Sequence, residues 1–526
     1  MVAPVRWVVM VVSCARTWSV ALSGVDGALV EVEADLAQGL PMLTVVGLPD
    51  TAVTEARDRV RAAVVNSRQT WPAKRITVGL SPATLPKAGS SFDLAIAVAV
   101  LAGAGALDPA AVSGLVVLGE LGLDGRVRPV VGILPAVLAA VRAGVPRVVV
   151  PLACTAEARL VPGAQVTGVS SLAMLVARLR GEQVEDPEPA PRPAPPDPEA
   201  ALARDLCQVA GQATGRWAVE VAAAGGHHLF LQGPPGCGKT MLAERLPGLL
   251  PDLPAAEALE VSAVHSVAGL LPAGSPLVVR PPMRAPHHTT SATALVGGGS
   301  TRLRPGACSL AHRGVLFLDE APEFGRGPLE ALRTVLEKGH VDVARTGGSA
   351  RFPARFSLIL AANPCACAVS GAGPLDCSCR PEARRTYLSR ISGALLDRVD
   401  LQLRLAPVTQ ADLAAGPSAN ETTATVAARV ASARGLAATR LEGTPWRTNG
   451  EVPGPVLQHR WPPARGAQRP SHLLAGNGKL SLRGVDSVLR VAWTLADLDG
   501  VARPDQGHVR AALSLRRQAT EGKQAA

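Results

Sequence analysis

Apolar residues recur along this chain in two alternating periods. Short runs that are continuous or alternate every second residue read as strands: KRITVGLSP (Lys74–Pro82), GLVVLGEL (Gly114–Leu121) and RVVVPL (Arg147–Leu152) early on, then HHLFLQ (His227–Gln232), GVLFLDE (Gly314–Glu320) and RFSLILAAN (Arg355–Asn363). Between them the spacing turns helical. TAVTEARDRVRAAVVNS (Thr51–Ser67) is amphipathic, whereas SSFDLAIAVAVLAGAG (Ser90–Gly105) is apolar nearly all round and predicts a buried helix. Further helices are predicted at Ala201–Gln212, Met241–Leu250, Gly327–Gly339, Thr422–Leu436 and Leu482–Asp499. Strands separated by helical crossovers predict a parallel sheet in the middle of the chain, and an α/β or α+β layer fold before it.

The pattern breaks at EDPEPAPRPAPPDPEA (Glu185–Ala200), which is Pro-rich, charged and nearly free of large apolar residues, as an extended linker is. The predicted organisation is therefore a domain over 15–182, a linker over 183–200, a second domain over 201–407 and a helical domain over 420–517. Within the last, Pro445–Pro470 is rich in Pro, Arg and Trp and reads as irregular. A length of 526 residues agrees with about three domains. Hydrophobic residues make up 47% and aromatics only 3%, so the cores are built from Ala, Val and Leu.

Net charge is +10 at neutral pH, which suits a polyanionic partner such as nucleic acid. Nine cysteines, an odd number with four clustered, do not form a disulfide framework. The first residues, MVAPVRWVVMVVSCARTW, resemble a secretory signal only superficially. Their charged region is thin, and strand-like alternation continues through Ser19–Leu36. The expectation is a cytoplasmic protein with an N-terminal extension or an early-assigned start, and no later run has the length and apolarity of a membrane span.

Chemistry concentrates after the His227–Gln232 strand. Gly233, Pro234, Pro235, Gly236, Cys237, Gly238, Lys239 and Thr240 spell G-x-x-x-x-G-K-[ST], the phosphate-binding P-loop, with a helix behind it. Glycines let backbone N–H groups curl round phosphate oxygens at a helix N-terminus, Lys239 reaches the β- and γ-phosphates, and the Thr240 hydroxyl holds Mg²⁺. With a strand before and a helix after, a chance glycine-rich turn is the weaker reading: the segment predicts binding of ATP or GTP. Asp319 and Glu320 close the Gly314–Glu320 strand as a Walker B pair does, the first for Mg²⁺ and the second to orient or deprotonate the attacking water. Asn363 ends the next apolar strand, where an amide can position that water or simply terminate the strand. Arg390 and Arg398 lie near the end of a helix as candidates for an arginine finger acting in a neighbouring subunit, and periodicity shows neither in that role.

Cys365, Cys367, Cys377 and Cys379 form two C-x-C pairs across a Gly-rich loop. Four thiolates can converge on a structural zinc ion, although C-x-C is tighter than the usual C-x₂₋₄-C. The rival reading is four reduced cysteines in a loop. The adjacent His287 and His288 point in different directions and are not read as metal ligands.

These motifs, in the order P-loop, VLFLDEAPEF (Val315–Phe324), LILAANP (Leu358–Pro364), YLSRISGALLDRVDL (Tyr387–Leu401) and LRVAWTLADLDG (Leu489–Gly500), resemble the YifB/ComM family of AAA+ ATPases, relatives of the magnesium chelatase ATPase subunit. Arg284–Glu320 matches almost continuously, Leu40–Ser67 matches the family's N-terminal domain, and the likeness covers roughly 15–517. It implies a homo-oligomeric, hexameric ring with ATP and Mg²⁺ between subunits. Arg398 falls at the arginine finger and Arg483, at the head of the last long helix, at the sensor-2 arginine. Family members in naturally competent bacteria act as DNA helicases that promote branch migration. Trp493, where the family usually has Arg, is a departure, and Pro445–Pro470 is poorly matched.

The first domain resembles the Lon protease domain, of ribosomal protein S5 domain 2-like α+β fold, ahead of an AAA+ P-loop core and a C-terminal helical lid. Ser91 falls at the Lon nucleophile, but Leu134 stands where the dyad lysine belongs, and a serine without a base is a weak nucleophile. Lys87 is four residues from Ser91, with nothing in the sequence to make it a substitute. The domain is thus expected to be non-proteolytic. Basic residues between Arg429 and Arg517, with Trp446, Trp461 and Trp493, fit either nucleic-acid stacking or solvated helix faces over core tryptophans. No helix-turn-helix or zinc-finger reader is present, so DNA contact would ignore sequence and depend on salt. Two functions follow: an ATP-driven DNA motor, or a chelatase- or chaperone-type ATPase that remodels a protein without touching DNA.

Overall fold

In the computed structural model, residues 14–48, 50–184, 204–271, 276–299, 303–345, 348–367 and 379–517 are described. Strand β1 (Cys14–Ser23) turns into β2 (Asp26–Ala37) across two residues, with Ser23 opposite Asp26. Gly24 takes φ +68° there, and a Cβ on it would stand 2.8 Å from the Arg351 carbonyl oxygen, so the turn and its neighbour both require glycine. β3 (Met42–Val46) crosses through α1 (Thr51–Asn66) to β4 (Arg75–Ser81), parallel to β3 and antiparallel to β2.

Helix α1 forms because Val53, Ala56, Val60, Ala63 and Val64 share one buried face, and Asp50 caps it by accepting the Val53 N–H at 2.8 Å. Helix α2 (Asp93–Gly103) is buried from Asp93 to Ala102, its one charge neutralised by Arg59 at 2.8 Å. β5 (Val116–Val117), α3 (Ile133–Arg142), β6 (Arg147–Pro151) and β7 (Gln165–Val169) complete a seven-stranded mixed sheet of order β3–β4–β2–β1–β5–β6–β7. The single strand expected at Gly114–Leu121 is divided. After β5 the Gly119 N–H turns away to Ser91 O at 3.0 Å, and Glu120–Leu121 pairs instead with Val127–Arg128.

The middle of the chain builds the parallel sheet. Helix α4 (Ala213–Gly225) leads to β8 (Leu229–Gln232), then α5 (Lys239–Leu249), α6 (Ala255–Ala268), β9 (Met283–Arg284), β10 (Val315–Leu318) and α7 (Arg326–Lys338). A hairpin, β11 (His340–Arg345) and β12 (Gly348–Pro353), precedes β13 (Ser357–Ala362), α8 (Pro381–Ser389) and β14 (Leu401–Arg404). The five strands lie in the order β9–β10–β13–β8–β14, every pair parallel. β8, β10 and β13 are buried at every residue, as strands covered on both faces must be.

Helices α9 (Thr423–Arg440), α10 (Gly454–Arg460), α11 (Arg469–Gly476), α12 (Leu482–Leu498) and α13 (Gln506–Arg517) follow. Their apolar stripes share one core with α4, α5 and the sheet, through Val430, Val488, Val491 and Leu495 against Val219 and Leu231. Two expectations fail here. The helix over Ala201–Gln212 is, in its described part, a single turn at Leu206–Gln208, because Asp205 accepts the N–H groups of both Cys207 and Thr423 and the chain leaves through left-handed Gln212. Pro445–Pro470 is not irregular throughout, since α10 begins on Pro453 and buries Leu457. Leu441, Val452, Leu457, Leu489 and Trp493 make a small core with Trp446 and Trp461 against it. Trp493 is 2% exposed and packs inside rather than presenting a stacking platform, while Trp446 and Trp461 are partly buried against it. The linker over 185–200 lies outside the described residues, and among those described no helix is long and apolar enough to cross a membrane.

A buried polar chain ties sheet to helices. His227 Nδ1 lies 2.9 Å from Asp400 Oδ2 and Nε2 2.7 Å from Thr494 Oγ1; Arg440 holds Asp497 at 2.6 Å, and Asn449 donates to both Thr494 and Asp497. Burial works to raise the Asp400 carboxyl, but His227 and Arg490 hold it well below the carboxylate range. Next along, His228 Nδ1 accepts the β13 Leu358 N–H at 3.0 Å, and desolvation pushes the ring down to about 4. Between its ordinary 6.5 and that value, the unfolded chain binds a proton the folded His228 refuses, so stability falls as pH falls through this window. Replacing His228 by Gln should flatten that slope. The thermal midpoint of the native chain is expected to drop more than that of His228→Gln between about pH 7 and about pH 5, and equal drops would remove His228 from this role.

Candidate active site

The P-loop leaves the C-terminal end of β8 and returns as the first turn of α5. Gly236 and Gly238 take φ of +76° and +91°, and a Cβ on Gly233 would meet Cys237 Sγ at 2.6 Å, so a side chain at any of the three would distort the loop. Gly233 N–H also bonds Ala362 O at 3.1 Å, fixing the loop to the end of β13. Lys239 is 8% exposed. Its Nζ donates to Gly233 O at 2.8 Å, Pro234 O at 2.9 Å and Asn363 Oδ1 at 3.0 Å. Desolvation lowers its hold on the proton, opposed by Cys237, Asp319 and Glu320. A buried ammonium resting on neutral oxygens at a helix head is a site with strong preference for an anion.

The acids come from the neighbouring strand. Asp319 directly follows β10, and its Oδ2 accepts from Thr240 Oγ1 at 2.9 Å. A hydroxyl and a carboxylate converging beside Lys239 are hard oxygen donors that fit Mg²⁺, which characteristically takes a few protein oxygens and completes its shell with phosphate and water. Glu320 takes a left-handed conformation, φ +50°, uncommon for a residue other than glycine and typical of functional positions. Its half-exposed carboxylate lies 3.3 Å from His288 Nδ1. Asn363, immediately after β13, faces Lys239. From sequence alone His288 is considered only as a metal ligand, and set aside; its approach to Glu320 is not foreseen. It is brought there by β9, a two-residue strand pairing Met283 with Val315, too short to leave a periodic signal.

Strand direction separates the arginines from this cluster. β14 runs parallel to β8, with Leu401 opposite Leu229 and Arg404 opposite Gln232. Arg398 precedes Leu401 and therefore stands at the N-terminal edge of the sheet, whereas the P-loop leaves the C-terminal edge, about 13 Å of strand away. Arg398 pairs with Glu337 near the end of α7 and donates to Ala394 O at 2.5 Å. Burial, then the like charges of Arg483 and Arg333, push its guanidinium below its ordinary range. Arg483 is exposed in the first turn of α12, whose cap Ser481 donates to Asp397 Oδ1 at 3.0 Å. The structure thus joins Lys239, Thr240, Asp319, Glu320 and Asn363 in one cluster, and Arg398 with Arg483 in another. Arg390 belongs to neither, pairing with Glu323 at 3.1 Å.

Around the seven-stranded sheet, Lys87 is fully buried and its ammonium goes to the Gly47 and Pro82 carbonyls, not to Ser91, while Leu134 lies wholly buried in α3. Cys365, Cys367 and Cys379 come together just past Asn363, and Cys377 lies outside the described residues.

Profiles of the magnesium chelatase subunit ChlI match residues 205–413, with the profile for subunit ChlI of Mg-chelatase matching 32–153 and that for the ChlI C-terminal part matching 420–516. A protein of Mycobacterium tuberculosis is 53% identical over 95% of this chain and 98% of its own length. The YifB protein of Escherichia coli is 40% identical over 94% and 95%. The competence protein ComM of Haemophilus influenzae is 38% identical over 96% and 97%.

Removing the ammonium should remove the anion site. Lys239→Ala is expected to weaken binding of a fluorescent nucleoside triphosphate, with Mg²⁺ present, by about a hundredfold or more, the worth of two charge-assisted hydrogen bonds. A loss under about threefold by titration would contradict this account of Lys239.

Proposed function

Since the chain belongs to the YifB/ComM family of magnesium-chelatase-like proteins, whose members are AAA+ ATPases, we propose that it is a ring-forming ATP-driven motor acting on DNA in the manner of a branch-migration helicase. The observation that carries the DNA reading is similarity to a competence protein along 96% of the chain. A net charge of +10 agrees with it.

In this reading Lys239 and the N–H groups at the head of α5 grip the β- and γ-phosphates of ATP. Thr240 and Asp319 are the protein oxygens that hold Mg²⁺, and the ion, when bound, neutralises charge on the transferring phosphoryl group. Glu320 takes the proton of the attacking water, Asn363 orients that water and the γ-phosphate, and His288 sets the Glu320 carboxylate. Arg398 and Arg483, at the far edge of the sheet, serve the nucleotide of the next subunit, which makes the active form a homo-oligomer, a hexamer by family likeness. The region around the seven-stranded sheet acts as a scaffold without peptidase activity, because the Lys87 ammonium is engaged by backbone carbonyls and Leu134 offers no base.

Hydrolysis measured at low salt, with and without forked or four-way DNA, tests the reading. Stimulation of several-fold, with strand displacement or branch movement that declines steeply as salt rises, is expected. A rate indifferent to single-stranded and branched DNA alike would overturn it and leave an ATPase that remodels a protein partner. Separately, Glu320→Gln should bind ATP normally yet hydrolyse it at least about a hundredfold more slowly; normal turnover would remove Glu320 from its role.

A further inference from the structure

We propose that Cys365, Cys367 and Cys379 bind a zinc ion that pins the end of the central strand β13 to the start of helix α8. Their three sulfur atoms lie within 4.8 Å of one another, the one group of three or more metal-competent side chains brought together among the described residues. Tetrahedral zinc with Zn–S near 2.3 Å sets neighbouring sulfurs about 3.8 Å apart, so this cluster is already at the scale of a thiolate site.

The thiols arrive from two directions. Cys365 and Cys367 follow the last residue of β13 by a few positions, and Cys379 lies just ahead of α8. Two separate stretches of chain therefore converge on one point, which a loop of unrelated reduced cysteines has no reason to do. Cys365 is buried, Cys367 exposed and Cys379 between, as expected of an ion seated at the rim of the sheet with an entry path from solvent. The Cys365 and Cys367 sulfurs stand 2.8 Å apart, well beyond a disulfide length of about 2.05 Å, and open by about 1 Å on taking a metal.

The role we assign to the ion is structural: three thiolates from two stretches of chain hold those stretches together. Its location gives it a consequence nonetheless. Asn363, two residues before Cys365, accepts a hydrogen bond from Lys239, and a metal clamp at Cys365 fixes the backbone from which that amide projects.

The test is metal content and thiolate spectroscopy on the full chain, purified under reducing conditions from zinc-supplemented cells. About one zinc per chain is expected by elemental mass spectrometry, falling below about a fifth of that in Cys365→Ser and in Cys379→Ser. A serine variant that fails to fold also loses metal, so the native chain, stripped with a chelator and titrated with cobalt(II), gives the deciding reading. A thiolate-to-cobalt charge-transfer band that saturates near one equivalent and is reversed by zinc supports the site, and its intensity counts the thiolates. Absence of that band overturns the proposal, as does zinc that persists undiminished in folded Cys365→Ser and Cys379→Ser chains.

Discussion

The common direction of five strands governs this molecule. Because β9, β10, β13, β8 and β14 all run the same way, everything that follows a strand collects at one edge and everything that precedes one collects at the other. Lys239, Asp319, Glu320 and Asn363 follow their strands and meet. Arg398 precedes its strand and cannot reach them. A nucleotide site that needs both must draw the arginine from a second copy of the chain, so the proposed ring is a consequence of strand direction as much as of family likeness.

That edge is held in place from behind. The His227–Asp400–Thr494 chain couples the strand that launches the P-loop to β14 and to α12, and α12 carries Arg483 beside Arg398. Buried polar chains of this kind are costly unless every member is satisfied, and once satisfied they fix one arrangement. The C-terminal helices and the strand beneath the P-loop are thus joined through one buried hydrogen-bonded chain.

Motifs whose chemistry is local were legible in the sequence. The P-loop glycines, the acids after β10 and Asn363 after β13 all announce themselves by residue type and neighbouring strand pattern, and the crossovers between them imply the parallel sheet. What depends on distant pairing was not legible. His288 reaches Glu320 only because a two-residue strand docks on β10, and the division of Gly114–Leu121 follows from a hydrogen bond to Ser91 that no local pattern encodes. Pro445–Pro470 misled because proline and arginine content reads as irregular, whereas Pro453 starts a short helix and the tryptophans fill a core. The separation of Arg398 from the P-loop likewise required the register of β14 against β8.

The central claim is that one active site is shared by two chains, and mixing two disabled chains tests it most directly. Lys239→Ala lacks the phosphate grip but keeps Arg398; Arg398→Ala keeps the grip but lacks the arginine. Each alone should be nearly inactive in ATP hydrolysis. Co-assembled in equal amounts, they should recover about a quarter of native activity, the fraction of interfaces that combine an intact P-loop with an intact arginine. No recovery on mixing, in rings shown to contain both chains, or full activity of Arg398→Ala alone, would contradict it.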